Sequence, residues 1–247
     1  MFEYKKLNDL AGWTAFLISL IVYSITVEDT ASFWDAGEFI AVSSKLEVPH
    51  PPGAPFYLLL GRFFSMFAFG VPENIAIAIN FLSVVSSAFT ILFLFWTITY
   101  LASKIIDPRL NNDNKVLVIL AGFIGSLSFT FTDSFWFSAV ESEVYAMSSF
   151  FTAFVFWAIL KWESLDDEKD QNKWIILIAY MMGLSLGVHL LNLVTIPALA
   201  LIIYFKKFKE VTFRGIVISL LLGLISVGLI VEGIIPGIPT LANTIEI

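Results

Sequence analysis

The chain has 247 residues, of which 58% are hydrophobic, 16% aromatic and only 14% charged, with a formal net charge of −7. A soluble domain carries about 25% charge, and a mean hydropathy of +0.85 with 25 phenylalanines exceeds what a water-facing exterior of this size tolerates. These values exclude a soluble globular protein and imply an all-α polytopic membrane protein, since a transmembrane barrel would show alternating stretches of roughly ten residues.

The apolar runs fall at 11–27, 54–69, 75–102, 116–131, 143–160, 174–205 and 215–235. The first follows Lys5 and Lys6 as a signal peptide would, but Glu28 and Asp29 stand where a small-residue cleavage site would be needed, so an uncleaved first span is expected. The run 54–69 lies between His50-Pro51-Pro52-Gly53 and Gly70-Val71-Pro72 and is short for a span; it predicts a juxtamembrane helix that enters and leaves on one side. The run 174–205 contains Gly183, Gly187, His189, Asn192 and Pro197, which predicts two short helices breaking near 189–192.

Lysine and arginine set the orientation, because short cytoplasmic loops retain positive charge. Seven spans with a cytoplasmic N-terminus put 12 of the 14 basic residues in cytoplasmic segments and leave only Lys45 and Arg62 outside. A crossing by 54–69 would export Lys104, Arg109 and Lys115. The external face then has a first loop of about 28–74, a second of about 132–142, the turn near 189–192 and a tail from about 236. Residues 1–247 show no internal repeat and no linker, so a single transmembrane module is expected.

Neither histidine, His50 or His189, has HExxH-type spacing, and no Walker A or GxGxxG motif is present. The absence of cysteine removes thiolate chemistry, and the acidic balance does not point to nucleic acid. Candidate chemistry concentrates in the first loop. Asp35 and Glu38 share a face if their segment is helical and can act as a carboxylate pair, or they can form a capping box that starts a helix. His50, in a proline-stiffened turn, can face a phosphate or a carboxylate, or can be an ordinary surface histidine. Arg62, inside the short apolar helix, needs a partner: a lipid phosphate or the interface. In the second loop Glu141 and Glu143 are candidate accessory acids, Glu143 being equally suited to cap the next span. His189 and Asn192, at the break, can bind an anion or stabilise the turn.

Taken together, Trp34-Asp35-Ala36-Gly37-Glu38, His50-Pro51-Pro52-Gly53-Ala54-Pro55-Phe56-Tyr57 and Gly187-Val188-His189-Leu190-Leu191-Asn192 resemble the protein O-mannosyltransferases of the membrane glycosyltransferase C superfamily. The closer resemblance is to the O-mannosyltransferase-like family common in Bacteroidetes. It implies inverting transfer of a sugar, mannose in the first instance, from a polyprenyl-phosphate donor to a Ser/Thr hydroxyl of an acceptor protein or peptide. It also implies a multi-pass protein of a bacterial inner membrane whose active site faces the periplasm. Carried onto this chain, the general base is Asp35, Glu38 assists it, and His50, Arg62, His189 and Asn192 are candidates for the donor or its phosphate. No cofactor and no metal are implied. The sequence departs from the better-known enzymes in separating its two acids by Ala36-Gly37 and in carrying Pro55 where they have a lysine. Superfamily members carry further spans, so the chain is expected to be the N-terminal part of a larger enzyme, completed by a C-terminal portion or a partner subunit. The competing readings are a non-catalytic membrane subunit, such as a transporter or assembly component, and a homologue that binds donor without turnover. A transporter would place its ionisable residues at the midplane, often with inverted repeats, whereas most acids here lie in loops.

Overall fold

A computed structural model describes residues 2–109 and 111–245, which form helices and connecting turns with no strand among them. In chain order the α-helices are α1 (Phe2–Ile25), α2 (Ala36–Lys45), α3 (Pro55–Ser65), α4 (Ile75–Ile105), α5 (Asn112–Thr130), α6 (Asp133–Val140), α7 (Val144–Glu163), α8 (Glu168–Leu186), α9 (Ile196–Lys207), α10 (Phe213–Gly228) and α11 (Ile235–Ile245). Among the described residues six stretches are long and apolar enough to cross a membrane: Glu3–Ile25, Pro72–Ile105, Asn112–Thr130, Val144–Glu163, Leu190–Lys207 and Phe213–Ile245. The seventh expected span corresponds to α8, which is 19 residues long but opens on Glu168, Lys169, Asp170 and Lys173 and is less apolar for that reason. As expected, 54–69 holds a short helix, α3, and the run 174–205 is broken between α8 and α9.

Two segments differ from expectation. The second loop is itself largely helical: α6 spans Asp133–Val140, and its Phe135 and Trp136 pack on Tyr23 of α1. Trp136 Nε1 donates to Thr26 Oγ1 (3.0 Å) and the Glu28 N–H to the Val140 carbonyl (2.9 Å), so both ends of this helix lean on the end of α1. The residues beyond 236 continue the last span through a wide π-helical turn at Leu229–Ile234 into α11. Ile238, Leu241 and Ile245 keep that segment apolar, so helix rather than a solvated tail satisfies its backbone in lipid.

The central element is α4, packed against α1, α3, α5, α6 and α7. Lipid tails are as apolar as leucine, so the helices are held by close packing rather than by escape from water. Glycines on the flanking helices give that approach: a Cβ on Gly12 of α1 would collide with Trp96 Nε1, and one on Gly122 of α5 would meet Thr99 Cγ2 at 2.6 Å. Near the start of α4 the fully buried Asn80 donates from Nδ2 to the carbonyls of Glu28 (2.6 Å) and Thr30 (3.1 Å). Its Oδ1 accepts from the buried Ser142 hydroxyl, so one amide ties the first loop to the second. Asn80→Ala strands these partners and is expected to lower stability by about 2–4 kcal/mol. The measurement is the thermal transition of the detergent-solubilised chain, and an unchanged transition would remove Asn80 from the framework.

Candidate functional site

The His50-Pro51-Pro52-Gly53 turn is closed by the Gly53 N–H on the His50 carbonyl (3.0 Å), and the φ of +81° at Gly53 is one that a side chain would resist. Across from it, Trp34 adopts a left-handed φ of 57° just before α2. Such a backbone costs on the order of 1–3 kcal/mol in a non-glycine residue and turns the chain so that Asp35 opens the helix.

Asp35 occupies the N-cap position of α2, yet its side chain makes no cap hydrogen bond. Glu38, which a capping box would turn back onto the N-cap, instead holds His50. Its Oε1 accepts from the His50 backbone N–H at 2.7 Å and its Oε2 lies 2.9 Å from Nδ1. The Nε2 of the same ring is 3.9 Å from Asp35 Oδ2, so one imidazole bridges both acids. The hydrogen bond to Glu38 raises the His50 pKa above its usual value against a smaller opposing effect of desolvation, and the charges of Glu38, Asp35 and Glu143 add to the rise. The partner responds in kind: hydrogen bonds from the His50 ring and backbone hold Glu38 below the usual carboxylate range. Asp35, Glu38 and His50 each offer an oxygen or nitrogen within 4.8 Å of the others, a donor set suited to a hard divalent cation, although Glu38 and His50 already satisfy one another.

Asp35, His50, Glu143 and His189 line one cavity of about 600 Å³, walled by the 52–55 turn, the start of α7, the α8–α9 break and Ile235, Ile238 and Pro239 of α11. Glu143 is only 5% exposed and, at the N-cap of α7, makes no side-chain cap hydrogen bond. Burial, reinforced by the charges of Asp35 and Glu141, pushes its pKa up to about 7. His189 stands at the break with Nδ1 accepting the Leu191 N–H (3.1 Å), which makes Nε2 the proton-bearing nitrogen of its neutral form; burial lowers its pKa.

Three candidates stand apart from the cavity. Arg62 donates to the Ser44 carbonyl at 2.6 Å, at the far end of α2 and about 13 Å along that helix from Asp35. Asn192 is buried, its Oδ1 accepting from Ser148 (3.2 Å) and Thr152 (2.7 Å) of α7, so it fastens the break to the bundle. Glu141, 3% exposed, neighbours Ser32 and Glu28 rather than the cavity; burial raises its pKa, and its Oε2 has no hydrogen-bond partner.

Sequence reasoning missed Asn80, and placed Gly187 at the helix break without its contact to α3. Asn80 is the one amide in the apolar run 75–102, and an amide in a span is itself a signal. The Gly187 carbonyl accepts the N–H groups of Phe56 (2.8 Å) and Tyr57 (3.2 Å), capping the start of α3 from the α8–α9 break. That contact is tertiary and left no local mark beyond the glycine.

Glu143 yields a pH test. Because its folded-state pKa of about 7 lies above the ordinary 4.5, the folded chain binds this proton more tightly than the unfolded chain does. Its contribution to stability is present below about pH 4.5, is lost as the pH rises to about 7 and changes no further above that. The thermal transition of the wild type should fall between pH 5 and pH 8 by roughly 5 °C more than that of Glu143→Gln; parallel transitions would place the carboxylate in water.

The family described as protein O-mannosyl-transferase TMEM260 N-terminal domain matches residues 35–212. Protein O-mannosyl-transferase tmem260 of Dictyostelium discoideum is 31% identical over 156 residues, covering 62% of this chain and 17% of that protein. Protein O-mannosyl-transferase TMEM260 of Mus musculus is 26% identical over 204 residues, covering 82% of this chain and 26% of that protein. The chain therefore spans about a quarter or less of the length of these relatives. No solved structure matches. With its family match running from the catalytic-loop candidate Asp35 through the α8–α9 break and beyond α9, the chain belongs to the family of the protein O-mannosyl-transferase TMEM260 N-terminal domain.

Proposed function

We propose that this chain is the membrane module of a glycosyltransferase that moves mannose from a polyprenyl-phosphate donor to a Ser/Thr hydroxyl of an acceptor protein. The observation that carries the reading is the cavity lined by an uncapped Asp35 together with His50, Glu143 and His189. The activity by which the two relatives are named supports the same class of reaction.

In this reading Asp35 is the general base. Its carboxylate takes the hydroxyl proton as the acceptor oxygen forms a bond to the anomeric carbon from the face opposite the phosphate, and the bond from that carbon to the phosphate oxygen breaks with its electron pair, inverting the centre. Asp35 suits the role because no cap hydrogen bond occupies its oxygens. His50, whose pKa the hydrogen bond to Glu38 raises, meets the negative charge that grows on the leaving phosphate, and His189 supplies an Nε2–H donor in the same cavity. Glu143, protonated below about pH 7, donates a hydrogen bond to the sugar or the phosphate. Arg62 and Asn192 act by position: Arg62 fixes the end of α2, and Asn192 fixes the turn that carries His189. The apolar wall of Val188, Ile235 and Ile238 suits the first prenyl units of the donor.

The orientation that goes with this mechanism has the N-terminus in the cytoplasm of a bacterial inner membrane and the cavity on the periplasmic side. Its support is the basic residues: Lys104, Lys161 and Lys206 belong to the last turns of α4, α7 and α9, whereas Asp35 and Glu143 lie beyond the other end of the bundle. The rest of the activity, including any contribution of segments outside this chain, follows the relatives' greater length.

The test is transfer by the purified chain from radiolabelled polyprenyl-phosphate mannose to a Ser/Thr-rich peptide. Wild type should label the peptide, and Asp35→Asn should lose label by at least about 100-fold while inserting into membranes as before. Equal labelling by Asp35→Asn would return Asp35 to a structural position, and donor binding without transfer by the folded wild type would favour a chain that only holds the donor.

A further inference from the structure

At the bundle end away from Asp35 a second cavity of about 210 Å³ lies between α1, α4 and α7. Along α7 it is eighteen residues from Glu143 to Lys161, a rise of about 27 Å, close to the roughly 30 Å thickness of a bilayer's hydrocarbon core. The cavity therefore sits at the opposite membrane boundary, at the level where tryptophan and tyrosine rings gather. Trp96 and Trp157 form part of its wall with ring centroids 5.6 Å apart.

Its charges are unusual for this face. Lys5 and Lys161 both line it, and neither has a carboxylate within ion-pair distance among the described residues, whereas Lys104, Lys115 and Lys173 each do. Lys161 is attracted by Asp9 and repelled by Lys5, so the cavity holds two cations and one anion, a surplus of one positive charge. The positive surplus favours an anion in this cavity.

We infer that this cavity binds the phosphodiester headgroup of an anionic glycerophospholipid, with the phosphate between the Lys5 and Lys161 ammonium groups. The charge count selects the headgroup. A phosphodiester with an uncharged glycerol brings the site to neutrality, while a zwitterionic headgroup leaves the surplus in place. The inference is independent of the chemistry at Asp35.

The test is the ratio of phosphatidylglycerol to phosphatidylcholine retained by the chain after reconstitution in a mixed bilayer and extraction, read by mass spectrometry. A juxtamembrane lysine is worth about five-fold in anionic-lipid affinity, so the pair should give wild type a preference of roughly 25-fold. Lys5→Gln with Lys161→Gln should bring it near unity, and Lys169→Gln with Lys209→Gln, on the same face but outside the cavity, should leave it unchanged. Absence of preference in wild type, or full preference in the Lys5/Lys161 variant, overturns the inference. Displacement of phosphatidylglycerol by millimolar inorganic phosphate also overturns it, assigning the cavity to the free anion.

Discussion

The site rests on one buried amide. Asn80 lies in the first turns of an apolar span, where no water reaches its hydrogen-bonding groups and every one must be met by protein. It is met from two directions, by the Glu28 and Thr30 carbonyls and by the Ser142 hydroxyl, which the chain order separates by more than a hundred residues. Asp35 follows Thr30 by one short turn and Glu143 is the next residue after Ser142. The amide that satisfies itself thus carries two carboxylates to the rim of the same cavity.

Bringing acids together in a partly dry place is unfavourable unless their charge is answered. Two answers are visible. Glu38 is matched by His50 through two hydrogen bonds, which leaves Asp35 with only the distant Nε2 of that ring. Glu143 takes the other course and holds its proton up to about pH 7. The consequence for chemistry is a division of labour among similar side chains: one hydrogen-bonded to a histidine, one neutral through the acidic range, and one with no cap hydrogen bond on its oxygens. Had Asp35 and Glu38 formed a capping box, their oxygens would have been spent on backbone N–H groups of α2.

The spans, the short helix α3 and the break at 189–192 were legible in the sequence because they depend on local quantities: the length of an apolar run, a glycine, a proline, a histidine among leucines. The grouping of Asp35, Glu38 and His50 was also legible, since all three belong to one loop with a stiff turn. What was not legible depends on partners far along the chain. Glu143 looked equally like a helix cap because spacing cannot report that its carboxylate is buried beside Asp35. Arg62 needed a partner, as any guanidinium in an apolar helix does, but only the packing of α3 on α2 shows that the partner is the Ser44 carbonyl. The segment from about 236 reads as a weakly apolar tail in the sequence, whereas the wide turn before it lets the helix continue into α11.

The α8–α9 break and α3 form a single mechanical unit. Irregular backbone at membrane depth is tolerated where it is covered by protein or lines a cavity, and the freed Gly187 carbonyl finds its donors in the first N–H groups of α3. Those groups belong to Phe56 and Tyr57, immediately after the turn that holds His50, while His189 is two residues beyond Gly187. A Cβ at 187 would come within 2.8 Å of Phe56 Cβ, so only glycine allows the approach that brings the two histidines to one cavity. The width of the cavity is thereby governed by a backbone contact that neither histidine makes, and a change in the seating of α3 would alter the distance across which any anion between them is held.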